Sequence, residues 1–260
     1  MTVTLAIVAQ PGPASIAGLE GSFPWGQATV AWPGDPPRAD VVVTLGEVPV
    51  GDREPDVRWI GDAAAGGAPP SGRRVIATAG DGLWSRAPWP VRDDLFELDP
   101  PDPDGALLLV TSHEDLHAGL IEKLTGRGLR VRTAPELTAA ALAGAAMVAF
   151  PPVWDGDPLP GARQEAAPAA VFAPLAARRP VIAPRAQLTF GLLPGVDHLA
   201  ASTDDDVVQY ADALESFPEA FAPQVALGRV AAERQRASTL YGRLVEELAT
   251  AAPRSAAPRG

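Results

Sequence analysis

The segment ALLLVTSHEDLHAGLIEKLTGRGLRVRTA, residues 106–134, shows how the second half of the chain is built. Ala106–Thr111 and Leu129–Thr133 are short apolar runs typical of buried strands, whereas Glu114–Arg127 repeats its leucines with helical spacing. Ser112 is a favourable N-cap for this helix, and the glycines near its end can stop it. A strand, a helix and a second strand in this order predict a right-handed βαβ unit, from which parallel sheets are built.

The same alternation continues toward the C-terminus. It predicts further strands over Ala146–Phe150 and Pro180–Ala183, and helices over Glu136–Ala143, Ala169–Ala177, Asp204–Glu215 and Pro223–Thr250. In the last helix we expect one buried stripe, formed by Val225, Val230, Leu240, Leu244 and Leu248. Before Asp204, Ser202 or Thr203 is expected to cap the helix, and this explains the three consecutive aspartates better than a metal site does.

The N-terminal half predicts strands but little helix. Its β-branched apolar runs are Val3–Ala9, Thr29–Trp32, Asp40–Leu45, Val57–Ile60 and Arg74–Thr78. Their connections are rich in Pro and Gly, so we expect trimmed crossovers between parallel strands.

The predicted fold is α/β, with two Rossmann-like doubly wound parallel-sheet domains of which the N-terminal one is trimmed. We expect the domains at residues 1–95 and 105–250, a linker at 96–104 and a disordered tail at 251–260.

Composition excludes several classes of function. The 260 residues contain 21 basic and 32 acidic side chains, a net charge of −11, which disfavours binding to a nucleic acid backbone. No cysteine is present, so thiol nucleophiles, disulfides and cysteine-ligated metals are excluded. Neither a signal peptide nor a membrane span is predicted, so a cytoplasmic protein is expected.

The sequence lacks the motifs of several other classes of protein. No P-loop and no Gly-X-Ser-X-Gly elbow occurs, and no phosphoacceptor Asp with a partner Lys suggests a response regulator. His113 and His117 have a spacing that two metal ligands can use, but no third ligand accompanies them, and no metal or cofactor is predicted. The alternatives for His113 are a helix start, with Glu114 and Asp115 at the positive end of the dipole, or a contact to phosphate or sugar.

Three segments, taken in order, carry a family resemblance. LTAAALAGAAMVAFPPVW (137–154), VFAPLAARRPVIAP (171–184) and LTFGLLPGVDHLAASTDDDVVQYADAL (188–214) resemble the nucleotide-sugar domain of GT-B glycosyltransferases, particularly the spore-coat-type and family 4-like branches. The segment 75–100 resembles the interdomain strand of that family more weakly. The resemblance implies that a nucleotide-sugar donor binds at the carboxyl ends of the C-terminal strands, and that its sugar passes to a small-molecule or glycan acceptor.

The resemblance also implies roles for individual residues. Gly12 is expected on the acceptor side, where an ordinary rigid turn between two prolines is the alternative. Ser112 and His113 are expected near the diphosphate. Gln164, Glu165 and Gln187 are expected around the sugar or the nucleotide.

Two departures from the family pattern support a second hypothesis. Ala173 stands where the family has a Glu that holds the donor ribose, and Arg178 stands where it has a Gly. With the short N-terminal half, these departures favour a GT-B-like binding or scaffold protein that binds a partner or a ligand without turnover. Fold alone does not decide between the two hypotheses.

Overall fold

The computed structural model describes residues 3–9, 21–23, 26–31, 38–45, 50, 55–62, 74–79, 85–86, 90–111, 113–135, 137–151, 168–184 and 192–251. The chain divides into two compact units. One takes in most of residues 1–90 together with 236–260, and the other contains 91–235. Residues 236–250, which the sequence-based division assigns to the second domain, therefore group with the first unit.

The first unit is built on a seven-stranded sheet. Its strands are β1 (Val3–Ala9), β2 (Gly21–Phe23), β3 (Gly26–Ala31), β4 (Val41–Leu45), β5 (Val57–Asp62), β6 (Arg74–Ala79) and β7 (Ser85–Arg86). Their order is β2-β3-β1-β4-β5-β6-β7, and every neighbouring pair is parallel except β2 and β3. The parallel sheet predicted from the apolar runs is thus present, with an antiparallel edge strand that the sequence did not predict.

The centre of this sheet is fully buried. Leu5 and Ile7 of β1, and Val42 and Val43 of β4, have no exposed surface. Strands covered on both faces have continuous apolar sequences for this reason, since neither set of alternating side chains reaches water.

The second unit holds a five-stranded sheet in which all strands are parallel. Its strands are β8 (Ala106–Val110), β9 (Val131–Ala134), β10 (Ala145–Ala149), β11 (Val181–Pro184) and β12 (Leu199–Ala201), in the order β12-β11-β10-β8-β9. The helices in the described residues are α1 (Ala118–Gly126), α2 (Ala139–Ala143), α3 (Pro168–Ala176), α4 (Asp204–Ser216), α5 (Ala222–Glu233) and α6 (Ala237–Ala251). Short 3-10 helices span Asp93–Glu97, Glu114–His117 and Pro218–Phe221.

Two apolar cores cover the two faces of this sheet. Because side chains alternate along a strand, Leu108 and Val110 of β8 enter one core while Leu107 and Leu109 enter the other. The first core includes residues of α2, α3 and α5, and the second includes residues of α1 and α4. Helices on both faces make the sheet doubly wound, as predicted.

The segment before β8 contributes to the first core. Its 3-10 helix, Asp93–Glu97, buries Leu95 and Phe96 to 2% and 3% exposure. At the start of this 3-10 helix, Nη2 of Arg92 lies 2.5 Å from Oδ2 of Asp94. Residues 91–95, the end of the predicted first domain, and Phe96, the first residue of the predicted linker, therefore belong to the second unit.

The prediction of a single closing helix over Pro223–Thr250 is wrong, because the structure has two helices in this range. The chain leaves helical geometry between α5 and α6, where the carbonyl of Gln235 accepts a hydrogen bond from the Val91 amide at 2.8 Å. The Gln235 carbonyl therefore bonds to Val91 and not to an amide in the next helical turn. The break at this point separates α5 from α6, which belong to different units.

The buried stripe predicted for this helix is also corrected. Gly228 and Ala232 are the buried residues of α5, whereas Val230 is 53% exposed and Val225 is half-buried. In α6, Leu240 is half-buried, and the side chains of Leu244 and Leu248 lie outside the described residues.

Candidate functional site

The strand order of the second sheet defines a switch point. From β8 the chain crosses to β9 on one side, and it then returns to β10 on the other side of β8. In open α/β sheets, ligands bind in the crevice at the carboxyl ends of the strands where this reversal occurs. Here the crevice lies where Thr111 follows β8 and where Phe150 and Pro151 follow β10.

His113 lies at this switch point, directly after β8. Its amide donates to the hydroxyl Oγ1 of Thr111 at 3.0 Å, and the residue precedes the 3-10 helix Glu114–His117. The imidazole is half-buried, and it has no hydrogen bond or ion pair with any residue that the structure describes. Both ring nitrogens can therefore serve a ligand.

His117 does not join His113 in a common site. It is only 5% exposed, and the turn between the two residues is 3-10 rather than α-helical, so spacing by four does not place both rings on one helical face. Among the described residues, no three side chains of His, Asp or Glu come together as metal ligands would.

Glu114 links the start of this helix to the neighbouring strand. Its carboxylate accepts a short hydrogen bond from the hydroxyl of Thr133 in β9. Thr111 also bonds to this strand, since its amide donates to the Ala134 carbonyl at 2.9 Å. The sequence does not reveal the pair Glu114 and Thr133, because the two residues are 19 positions apart and neither stands in a motif.

The helix after β12 begins at the same edge of the sheet. Thr203 caps α4 by accepting the Asp206 amide at 3.1 Å, and the Asp206 carboxylate accepts the amides of Ser202 and Thr203. Hydrogen bonds from Ser202 and Thr203 lower the pKa of Asp206 below its ordinary value. The predicted cap is confirmed and assigned to Thr203.

Five residues predicted for the site lie outside the described residues. They are Gly12, Ser112, Gln164, Glu165 and Gln187. Their roles stay predictions. His113 is the predicted site residue that the structure describes.

No family model and no curated protein matches the sequence. Solved structures do match. They include WaaG, a glycosyltransferase involved in lipopolysaccharide biosynthesis, with TM-score 0.55, 11% identity and coverage of 95% of this chain and 99% of that one. A glycosyltransferase from Rickettsia africae gives TM-score 0.53 and 9% identity over 96% and 98% of the two chains. AviGT4, a glycosyltransferase involved in avilamycin A biosynthesis, gives 0.51 and 16% over 95% and 97%.

The chain has a GT-B glycosyltransferase fold. Identities of 9% to 16% establish this shared architecture and leave the donor and acceptor to be inferred from the site. The family 4-like assignment stays a prediction. Within the described part of the GT-B-like chain, no helix is both long and apolar enough to cross a membrane.

The GT-B-like segment 171–184 keeps its helix, turn and strand despite the two departures. Ala173 lies in α3 and packs against the first core. Arg178 has φ +58°, the left-handed conformation that glycine adopts most easily. The amides of Arg178 and Arg179 donate to the carbonyls of Leu175 and Pro174 at 3.1 and 2.8 Å, which completes a Schellman motif at the end of the helix.

Arg178 and Arg179 lie at the amino edge of the sheet, opposite the switch-point crevice. They stand between α3 and the first residue of β11. Arg179 is 1% exposed and donates to the carbonyls of Leu142, Asp99 and Ala177 at 3.0, 2.8 and 2.6 Å. Neither guanidinium therefore fills the carboxyl-edge crevice where a donor is expected.

Proposed function

We propose that the chain binds a nucleotide-sugar donor at the carboxyl edge of its five-stranded sheet and transfers the sugar to a small-molecule or glycan acceptor. The observation that carries the donor site is the switch-point crevice at the carboxyl edge of this sheet, in a GT-B fold that matches known glycosyltransferases along 95% to 96% of this chain. The half-buried imidazole of His113 at the switch point supports it independently.

The chemistry of sugar transfer explains why this edge suits a donor. As the glycosidic bond breaks, negative charge develops on the departing diphosphate, and nearby hydrogen-bond donors stabilise that charge. Helix starts present amide groups with a positive dipole end, and the 3-10 helix after His113 starts at this edge without a side-chain cap, whereas α4 is closed by its own capping box. The imidazole of His113 adds a hydrogen-bond donor that is not paired with any described residue.

The remaining roles in the proposal come from the sequence. Ser112 is proposed beside His113 at the diphosphate, and Gln164, Glu165 and Gln187 around the sugar or the nucleotide. Gly12 is proposed on the acceptor side. A cytoplasmic location is part of the same proposal.

The test is calorimetric titration of the full chain with UDP-, GDP-, ADP- and TDP-sugars. The proposal expects saturable binding of at least one donor, about tenfold weaker in His113→Ala, because a hydrogen bond to a charged group contributes about 1.5 kcal/mol or more. Glu122→Gln, an exposed change in α1, is the matched control and should bind as the unmodified chain does. A folded protein that binds none of the four classes would contradict the proposal.

A second function is favoured by Ala173. The helix α3 is intact, yet the position has only a methyl group, which cannot hydrogen-bond to a ribose. This favours a GT-B-like binding protein without turnover, acting with a protein partner. Donor binding without release of the nucleoside diphosphate, in the presence of a wide panel of acceptors, would select this function over transfer.

A further inference from the structure

A cavity of about 590 Å³ lies at the amino edge of the second sheet. It is lined by residues at or before the starts of β8, β9, β10 and β11, together with the end of α4 and one side of α5. This is the edge opposite the switch point. The cavity therefore shares no lining residue with the proposed donor site, and a ligand bound in it is independent of the proposed function.

The floor of the cavity is apolar. Leu107, Leu129, Met147 and Leu214 form it, and each is no more than 5% exposed. Ala226 lines the wall from α5 and is exposed. A cavity of this volume with an apolar floor has the dimensions and character of small-molecule sites in proteins.

Two of the arginines at the rim have guanidinium groups without a partner among the described residues. Arg130 precedes β9 and Arg178 precedes β11, and neither side chain has a hydrogen bond or ion pair with the described residues. Two strands, β8 and β10, lie between them, so the two positions are roughly 14 Å apart at the usual strand spacing. Each can receive an anionic group at one end of the apolar floor.

In the described part of the chain, the rim has four other charged residues, which are Asp102, Asp104, Glu215 and Arg229. Arg229 is engaged, since it donates to the carbonyls of Ala176 and Phe96 and lies 5.1 Å from the Phe96 ring centroid. The carboxylate of Asp102 accepts the amide of Asp104 at 3.0 Å within its own turn. Asp104 and Glu215 are exposed at the rim.

Arg178 is the better anchor of the two free arginines. It completes the Schellman turn in a left-handed conformation, where a side chain is unfavourable and glycine fits without strain. A strained residue that places an unengaged guanidinium on a cavity indicates a function for that side chain. Guanidinium groups pair well with carboxylates because two parallel N–H groups match the two oxygens.

We propose that this cavity binds an anionic amphiphile, a small molecule with an apolar chain and one carboxylate. The chain lies on the floor formed by Leu107, Leu129, Met147 and Leu214. The carboxylate pairs with the guanidinium of Arg178.

The test uses decanoate as the probe, titrated calorimetrically into the full chain below its micelle threshold. We expect saturable binding at one site, about tenfold weaker in Arg178→Gly, in which the turn is relaxed and the protein should fold at least as well. Ala226→Trp should abolish binding because the indole fills the cavity from an exposed helix position. Arg234→Gln, an exposed change that does not line the cavity, should leave binding unchanged.

A neutral probe separates charge pairing from apolar burial. Decanol should bind the unmodified chain about tenfold more weakly than decanoate, and Arg178→Gly should not weaken decanol binding further. The proposal is overturned if decanoate shows no saturable binding, or if Arg178→Gly or Ala226→Trp binds it as tightly as the unmodified chain.

Discussion

Arg178 is, within the described residues, the one position where a side chain is held in left-handed backbone geometry. The left-handed conformation costs a non-glycine residue about 1 to 2 kcal/mol, and glycine avoids this strain. Part of that gain is offset because glycine has more conformational freedom in the unfolded chain. We therefore expect Arg178→Gly to raise the free energy of unfolding by about 1 kcal/mol. Urea denaturation measures this change.

Arg178→Ala is the matched control for that variant. It removes the guanidinium but keeps a Cβ in the same strained geometry, so its stability should stay close to that of the unmodified chain. Equal stabilisation by glycine and alanine would show that the side chain, and not the backbone, is the source of strain.

Arg179 has the opposite role, because its buried guanidinium serves the structure. It donates to three carbonyls from separate parts of the second unit, and burial lowers its pKa without removing its charge. Arg179→Met leaves those carbonyls without their donor, and we expect a loss of about 3 kcal/mol in unfolding free energy. Arg179→Lys should recover little of it, since an ammonium cannot reproduce the planar fork. A loss below about 1 kcal/mol in Arg179→Met would contradict this role.

At the scale of elements, Gly228 sets how closely α5 packs. A Cβ at this position would lie 2.6 Å from Cδ2 of Leu175 in α3 and 2.7 Å from the Asp197 carbonyl. We expect Gly228→Ala to destabilise the protein by about 1 to 2 kcal/mol, because the clash outweighs the better helix propensity of alanine.

Gly119→Ala is the control in a helix of the same unit. A Cβ there meets nothing within 4 Å, so the propensity gain of up to about 1 kcal/mol should appear alone as stabilisation. The two alanine variants should therefore shift the thermal unfolding midpoint in opposite directions. Shifts of the same sign would contradict the packing described for α5.

The capping box of α4 gives a pH prediction. The folded-state pKa of Asp206 is depressed by hydrogen bonds from Ser202 and Thr203, so its carboxylate stabilises the fold above the unfolded pKa near 3.8, and this contribution is lost as the pH falls through the folded value. Asp206→Asn should be less stable than the unmodified chain at pH 6, and the difference should narrow below about pH 4. Urea midpoints of both proteins across this range measure it. A difference independent of pH would exclude the carboxylate as the cause.

How well each element was predicted depends on how locally it is determined. The strands β1, β4, β5 and β6 were predicted to within two residues because their buried runs are continuous and bounded by breakers. The break between α5 and α6 was not predicted, since it depends on a hydrogen bond from Val91, far away in the sequence. The same holds for the bond between Thr133 and Glu114 at the site. Contacts between distant positions leave no local pattern to detect.

At the scale of the whole molecule, both units repeat one arrangement of strands. Leaving aside the antiparallel β2, the first sheet runs β3-β1-β4-β5-β6-β7, and the second runs β9-β8-β10-β11-β12. In each, the chain moves to one side of the first strand and then continues on the other side. The order of the segments resembling GT-B proteins predicts this architecture, although Ala173 and Arg178 stand where the family pattern has Glu and Gly.

The measurement that tests the central claim most directly is donor titration with paired site variants. We expect at least one UDP-, GDP-, ADP- or TDP-sugar to bind saturably, with affinity reduced about tenfold by His113→Ala and also reduced by Glu165→Ala, while Glu122→Gln binds normally. Absence of binding across the panel, in a sample shown to be folded by cooperative unfolding, would contradict the assignment of a donor site to the carboxyl edge of the second sheet.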